Sequence, residues 1–526
     1  MQQKKFLTNL GILLLLNLLV KPFWMLGIER VVQNQVGNQN YGEYFALFNF
    51  TFLFNIILDF GITNFNNKNI AQNNHLLTKH FSSLFVLKLI LALVYILGSL
   101  VIGLAIGYDE RMTKLLLLLG FNQFLISMVL YLRSNLQGLH LFKTDSVVSV
   151  LDRLIMITVC AVVLWGKVFS VKMDIMLFAY IQTGAYFITA LIAFLMVVGK
   201  TETLKLSLSY PFALMILKKS FPFAVLVLLM TFYNRIDAVM LERILPAHNS
   251  ALSLRVDYLK TLPGYKTEPF HGLIDRLNEQ VVKNGADQAG IYAKAFRLLD
   301  STSMIAYLFS VILLPTFSRM LKFKESVEPL VKLAFNLIIT PALVIAIGCC
   351  FYSRELMDLL YTDQVEESAI VFGPLMCCFV AISTNYIFGT LLTANGNLLY
   401  LNTIASFAMV INISLNLLLI PRFQAPGSAF VSLTTQVVMA LAQVWIVQHV
   451  FRFRINYRLL ITLGVFILGV IGINYLSKMF AYHFAYHEAT HPWFIHFALM
   501  VVACVLWAFM IGQLSVKSIF RMAKYG

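Results

Sequence analysis

Apolar stretches of about twenty residues, the length a helix needs to cross the hydrocarbon of a bilayer, follow one another along almost the whole chain. About fourteen can be drawn: 7–33, 44–65, 82–106, 114–137, 147–166, 175–198, 213–241, 288–317, 331–351, 369–393, 403–420, 428–449, 459–477 and 493–512. Of 526 residues, 59% are hydrophobic and 12% charged, against about 25% charged in a soluble protein. Water would not solvate such a surface, and lipid does; the 44 phenylalanines suit a lipid-facing exterior. The expected fold class is an all-α polytopic membrane protein with about 14 transmembrane helices. The run Leu10–Val20 continues through Phe23–Ile28 with no small-residue cleavage site after it. It is expected to be retained as the first span, not removed as a signal peptide.

The net charge of +15 could mark a nucleic-acid or anionic-surface binder. The basic residues sit between spans, however, which makes them a topology signal and leaves a nucleic-acid role without support. With a cytoplasmic N-terminus, the cytoplasmic loops hold 19 Lys and Arg and the short loops opposite hold 6. That asymmetry is what the positive-inside rule expects, so both termini are expected to be cytoplasmic. The longest polar segment, 243–287, falls on the other side with six basic residues and, counting the adjoining Glu242, six acidic ones through Asp287. Balanced charge and short length predict a small lid or ordered loop there.

The two halves carry an internal repeat. Gly37-x4-Gly42-x-Tyr44 recurs as Gly285-x4-Gly290-x-Tyr292, opening the second and the eighth span. An offset of six spans preserves orientation, so the halves are expected to be parallel repeats about an axis along the membrane normal.

The chain resembles the polysaccharide, or O-antigen, flippases of the multidrug/oligosaccharidyl-lipid/polysaccharide exporter superfamily. The resemblance is carried by YGEYFALFNF…LDFGITNFNNKNIAQ from Tyr41, LRSNLQGLHLFKTDSVVSVLDRL from Leu132, YNRIDAVML from Tyr233, GIYAKAFRLLD from Gly290, LLPTFSRM from Leu313 and PRFQAPGSAFVSLTTQ from Pro421. It implies two six-helix bundles around a central cavity plus two further C-terminal helices, here residues 1–200, 201–450 (with the insertion 243–287) and 451–526. It implies a bacterial cytoplasmic-membrane flippase that moves a lipid-linked oligosaccharide, with membrane lipid around it and polysaccharide polymerase and chain-length machinery as partners. The 243–287 insertion departs from the family pattern.

Charges inside hydrocarbon cost about 2.5–3.5 kcal/mol each on insertion scales and are functional candidates. Lys21 lies about 15 residues into its span, roughly 22 Å at helical rise, and is followed by Pro22. Arg235 and Arg297 lie in the seventh and eighth spans. A lipid-linked oligosaccharide carries a pyrophosphate that cannot cross hydrocarbon alone, and Arg and Lys are the side chains that hold phosphate. Lys21, Arg235 and Arg297 are therefore the pyrophosphate candidates. Asp59, Asp237 and Asp300 are read as ion-coupling or salt-bridge residues. Asp300 shares a helix face with Arg297, and an Asp237–Arg297 bridge is equally allowed. Lys88, Arg133 and Arg153 lie close enough to a cytoplasmic end to snorkel or to line a cavity. Asn385, Asn402, Asn412 and Asn416 suit sugar hydroxyls or interhelical hydrogen bonds.

Three other readings compete: an Na⁺- or proton-coupled drug or metabolite exporter, a lipid II flippase, and a membrane glycosyltransferase or polymerase. The last needs a carboxylate cluster in an outer loop, and 243–287 has no such arrangement, so no enzyme is expected. His483, His487 and His491 recur every four residues but suit an interfacial loop better than a metal site. Cys160, Cys349, Cys350, Cys377, Cys378 and Cys504 lie in apolar runs without CxxC spacing. No metal or cofactor is expected.

Overall fold

A computed structural model describes residues 16, 19–63, 66, 70, 76–139, 141–166, 172–201, 210–261, 285–453, 456–485 and 492–514. The architecture is all-helical, with no strand among these residues. Helix α1 covers residues 19–36 and contains a π-helical stretch, Trp24–Glu29. It is followed by α2 (Asn38–Leu53), α3 (Leu76–Ile106), α4 (Glu110–Gly138), α5 (Phe142–Trp165) and α6 (Ile175–Val198). The second half runs through α7 (Tyr210–Thr261), α8 (Gly285–Lys322), α9 (Glu328–Phe351), the short α10 (Ser353–Leu360), α11 (Val365–Ala394) and α12 (Leu398–Phe451). The chain closes with α13 (Tyr457–Ala485) and α14 (Pro492–Met510). Among the described residues, 11 helices are long and apolar enough to span a membrane. One of these, α12, holds two spans.

Two elements depart from the hydropathy reading. The second span, expected over 44–65, stops being α-helical at Leu53. A 3-10 turn, Asn55–Leu58, follows, with positive φ at Phe60 (43°) and Gly61 (78°). Spans eleven and twelve are two helices, as expected, meeting at a sharp break at Gln424 (φ 54°, ψ −137°) between Pro421 and Pro426. The expected lid begins as a direct extension of α7, which stays helical to Thr261, and residues 262–284 lie outside the described residues. His487 and His491 also lie outside them, as does the side chain of His483.

The break in span two is stabilised from within. Lys88 on α3 is 2% exposed and donates to Leu58 O (3.1 Å), Asp59 Oδ1 (2.8 Å), Ser127 O (3.2 Å) and Ser127 Oγ (2.7 Å). A broken backbone inside a membrane is tolerated only where protein groups satisfy the freed carbonyls. Lys88 turns inward to do this and does not reach for the surface. Asp59 in turn accepts from the Thr63 backbone N–H (3.3 Å) and hydroxyl.

The two copies of the glycine repeat meet each other. Helices α2 and α8 cross so closely that a Cβ on Gly42 would run into the Ala286 carbonyl, and one on Gly290 into that of Asn38. Small residues allow such approach where lipid supplies no hydrophobic drive for helix association. Around this crossing, Gln33 Nε2 donates to Gly290 O (3.1 Å) and Asn34 Nδ2 to Leu360 O (3.1 Å). Asn38 Nδ2 donates to Asp363 Oδ2 (3.0 Å) and Gln364 Oε1 (2.8 Å). The first and second bundles are thus joined tightly at the end carrying Gly37. Helices α13 and α14 lie outside both bundles, packed on each other and on α9. Tyr352 bonds Ser477 (2.7 Å), and Lys478 pairs with Glu355.

Candidate functional site

Between the bundles lies a cavity of about 360 Å³. Helix α2 contributes Phe52, α7 Tyr233, Asn234 and Arg235, α8 Phe296, Asp300 and Ser303, α11 Asn385 and Tyr386, and α12 Ser432 and Gln436. The amides form a chain: Asn385 Nδ2 donates to Gln436 Oε1 (3.0 Å), whose Nε2 donates to Asn234 Oδ1 (2.5 Å). Amides and aromatic faces together are what a sugar's hydroxyls and C–H faces require.

Of the three pyrophosphate candidates, one lines this cavity. Arg235 holds Asp300 in a fork, Nη1 to Oδ2 at 3.0 Å and Nη2 to Oδ1 at 3.4 Å. Its guanidinium lies over Phe52 (5.3 Å) and Phe296 (5.2 Å). Arg297 sits deeper, 7% exposed, with Nη2 on Glu29 Oε1 at 2.6 Å and Nη1 at 4.0 Å from Asp300. Tyr41 OH donates to Glu29 (2.7 Å) and accepts from Arg297 Nε (3.3 Å). Phe45 and Phe48 face the guanidinium at 5.0 and 5.4 Å. Lys21 stands apart on α1, half-buried, within electrostatic reach of Arg153 and Asp152. Among the described residues it forms no ion pair.

Arg153 donates to Tyr186 OH (3.1 Å) and lies over Trp24 (5.7 Å), while Arg133 forks onto Asp145 (2.7 and 3.3 Å). Glu29 is the residue that sequence reasoning passed over. It lies inside the first apolar run beside Arg30, and a charge in that run was the available signal.

Asp237 forms the second feature. It is 1% exposed, and among the described residues no cation pairs with it; the allowed bridge to Arg297 is not formed. Oδ1 accepts from Asn416 Nδ2 (2.7 Å), and Oδ2 accepts from Tyr292 OH (3.0 Å) and from the Ser432 hydroxyl. Asn416 is held in turn by Ser428 (2.9 Å) and Asn412 (3.0 Å). Since Ser432 also lines the cavity, this carboxylate lies one hydroxyl behind the cavity wall. The repeat is visible here too: Tyr44 bonds Gln182 of the sixth span (2.8 and 3.1 Å), as Tyr292 bonds Ser432 of the twelfth (2.9 Å).

Two bundles around a central cavity, with two added helices, define a multi-pass all-α membrane protein. The fold is similar to that of "Lipid II flippase MurJ, inward closed conformation": TM-score 0.66, 11% identity, 95% of this chain and 98% of that one. A structure titled "Inward-facing conformation of a multidrug resistance MATE family transporter of the MOP superfamily" matches with TM-score 0.60 and 13% identity, over 81% of this chain and 93% of that one. Residues 6–321, more than half of the chain, match the family described as "Polysaccharide biosynthesis protein", and the chain belongs to that family. No curated protein matches it.

Proposed function

We propose that the protein is a flippase that carries a polyprenyl-pyrophosphate-linked oligosaccharide, an O-antigen, capsule or similar surface-polysaccharide unit, from the cytoplasmic to the outer leaflet of a bacterial cytoplasmic membrane. The observation that carries this reading is the cavity wall, where Arg235 stands among amides and aromatic rings. A guanidinium suits the pyrophosphate, and the amides and rings suit the glycan. Lys21 and Arg297 are further phosphate ligands on this reading, reached at other stages of the cycle. The working units are residues 1–200, 201–450 and 451–526, the first two rocking about the cavity to expose it to each side in turn. Both termini face the cytoplasm, so the Gly37 end, sealed by the α2–α8 crossing, faces outward. Polymerase and chain-length machinery would receive the product there.

Asp237 supports an ion-coupled cycle. A buried carboxylate ringed by hydroxyls and amides is suited to exchange a proton or Na⁺ as its surroundings open. The same feature favours, as a second reading, a coupled exporter of drugs or metabolites; a lipid II flippase would use the same cavity.

Deletion of the gene, with analysis of lipid-linked intermediates and surface glycan, separates these. Accumulation of cytoplasm-facing lipid-linked oligosaccharide is the expected result. Unchanged glycan with altered drug sensitivity would point to the exporter, and loss of cell-wall synthesis to lipid II.

A further inference from the structure

Four side chains of alternating charge run in single file from the cavity to the junction of the bundles. Arg235 and Asp300, each 20% exposed, line the cavity and pair at 3.0 Å. Arg297 stands 4.0 Å behind Asp300, and Glu29 lies 2.6 Å behind Arg297, at 8% and 4% exposure. Glu29 belongs to α1 and the other three to α7 and α8, so the last link ties one bundle to the other. Helix α1 presents Glu29 at the end of its π-helical stretch, an irregularity found often at functional sites.

We propose that these four residues form a relay by which an anionic phosphate group in the cavity unlocks the Gly37 end. The inference rests on the reading of Arg235 as a cargo-phosphate ligand. A phosphate taking the fork of Arg235 displaces the Asp300 carboxylate. Asp300 already lies beside Arg297 and closes onto it, which draws the guanidinium off Glu29. A buried carboxylate stripped of its cation is strongly destabilised until water reaches it. Separation of the bundles at this end supplies that water, so binding at one place drives opening at another. Without cargo the relay is neutral and self-satisfied, which keeps the empty transporter shut on that side. Tyr41, bonded to both Glu29 and Arg297, positions the terminal pair.

The test uses the full chain in lipid nanodiscs, its six native cysteines replaced, with spin labels on cysteines introduced at Glu110 and Thr362. Both positions are exposed at the Gly37 end, on opposite bundles. Pulsed electron resonance reads the distance between them, calorimetry reads binding, and inorganic pyrophosphate is the probe. In the unmodified relay, pyrophosphate should lengthen the distance. Glu29→Gln should show the long distance without pyrophosphate and bind it about 5- to 150-fold more tightly, the usual span of a coupling between sites. Glu29→Asp, which keeps the charge, should restore the short distance in part, separating loss of the lock from misfolding. Asp300→Asn should bind pyrophosphate yet stay short. A short distance in Glu29→Gln, or a full response in Asp300→Asn, overturns the relay while leaving Arg235 as a phosphate ligand. Absence of pyrophosphate binding to every variant overturns the phosphate reading itself, and the relay's trigger with it.

Discussion

Lys88 and Asp237 are both buried ionisable groups, satisfied in opposite ways. Lys88 has a carboxylate and three further oxygens around it, so its contribution is to the fold. Lys88→Met should orphan Leu58 O, Ser127 and Asp59 together and cost about 3–5 kcal/mol, the range for breaking a buried pair from one side. The thermal unfolding midpoint in detergent should fall, and Lys88→Met/Asp59→Asn should recover part of the loss. Among the described residues, Asp237 has only neutral donors. Asp237→Asn keeps shape and volume, so the variant should fold with a nearly unchanged midpoint in choline chloride. Any stabilisation of the parent by sodium or by acid should vanish in it; an undiminished ion-dependent shift in Asp237→Asn would remove the residue from a coupling role. A charge within an apolar span marked both groups, but depth suggested a snorkelling Lys88, and their partners lie 29 to 195 residues away, beyond any local pattern.

At the scale of elements, the repeated glycines and the broken spans were only partly legible. G-x4-G-x-Y marked two equivalent points, but nothing in either copy said that they touch. Gly42→Ala places a methyl group against the Ala286 carbonyl, so α2 and α8 must part at that level. Maleimide labelling of a cysteine at position 286, 4% exposed in the parent, should become faster in Gly42→Ala; an unchanged rate would mean that the crossing yields without opening. Hydropathy could not place the end of span two. Phe54–Leu58 is as apolar as the helix before it, and only the Asp59-Phe60-Gly61 turn signals the break. The Pro421–Pro426 segment was the more legible, because two prolines mark the end of one span and the start of the next, and the backbone leaves the helical region between them at Gln424.

For the whole molecule, the many spans could be read from apolar length, because the bilayer fixes helix length, whereas the two-bundle plan was implied by the family resemblance and the glycine repeat. Which charges meet could not be read, since Glu29 and Arg297 belong to different bundles. Helices α13 and α14 pack chiefly on each other and on α9, so a chain ending after Phe453 should retain both bundles. Its gel-filtration profile should stay monodisperse, and aggregation would show that the added pair is needed for folding. The plan also has a mechanical side. The membrane-crossing part of α7 ends near Pro246, yet its helical backbone continues to Thr261, about 22 Å further at 1.5 Å per residue. A helix held at its base in one bundle and continuing past its apolar stretch behaves as the needle of a gauge. Small tilts at its base become larger displacements at its tip, so a fluorophore or binder placed there would report movement of that bundle.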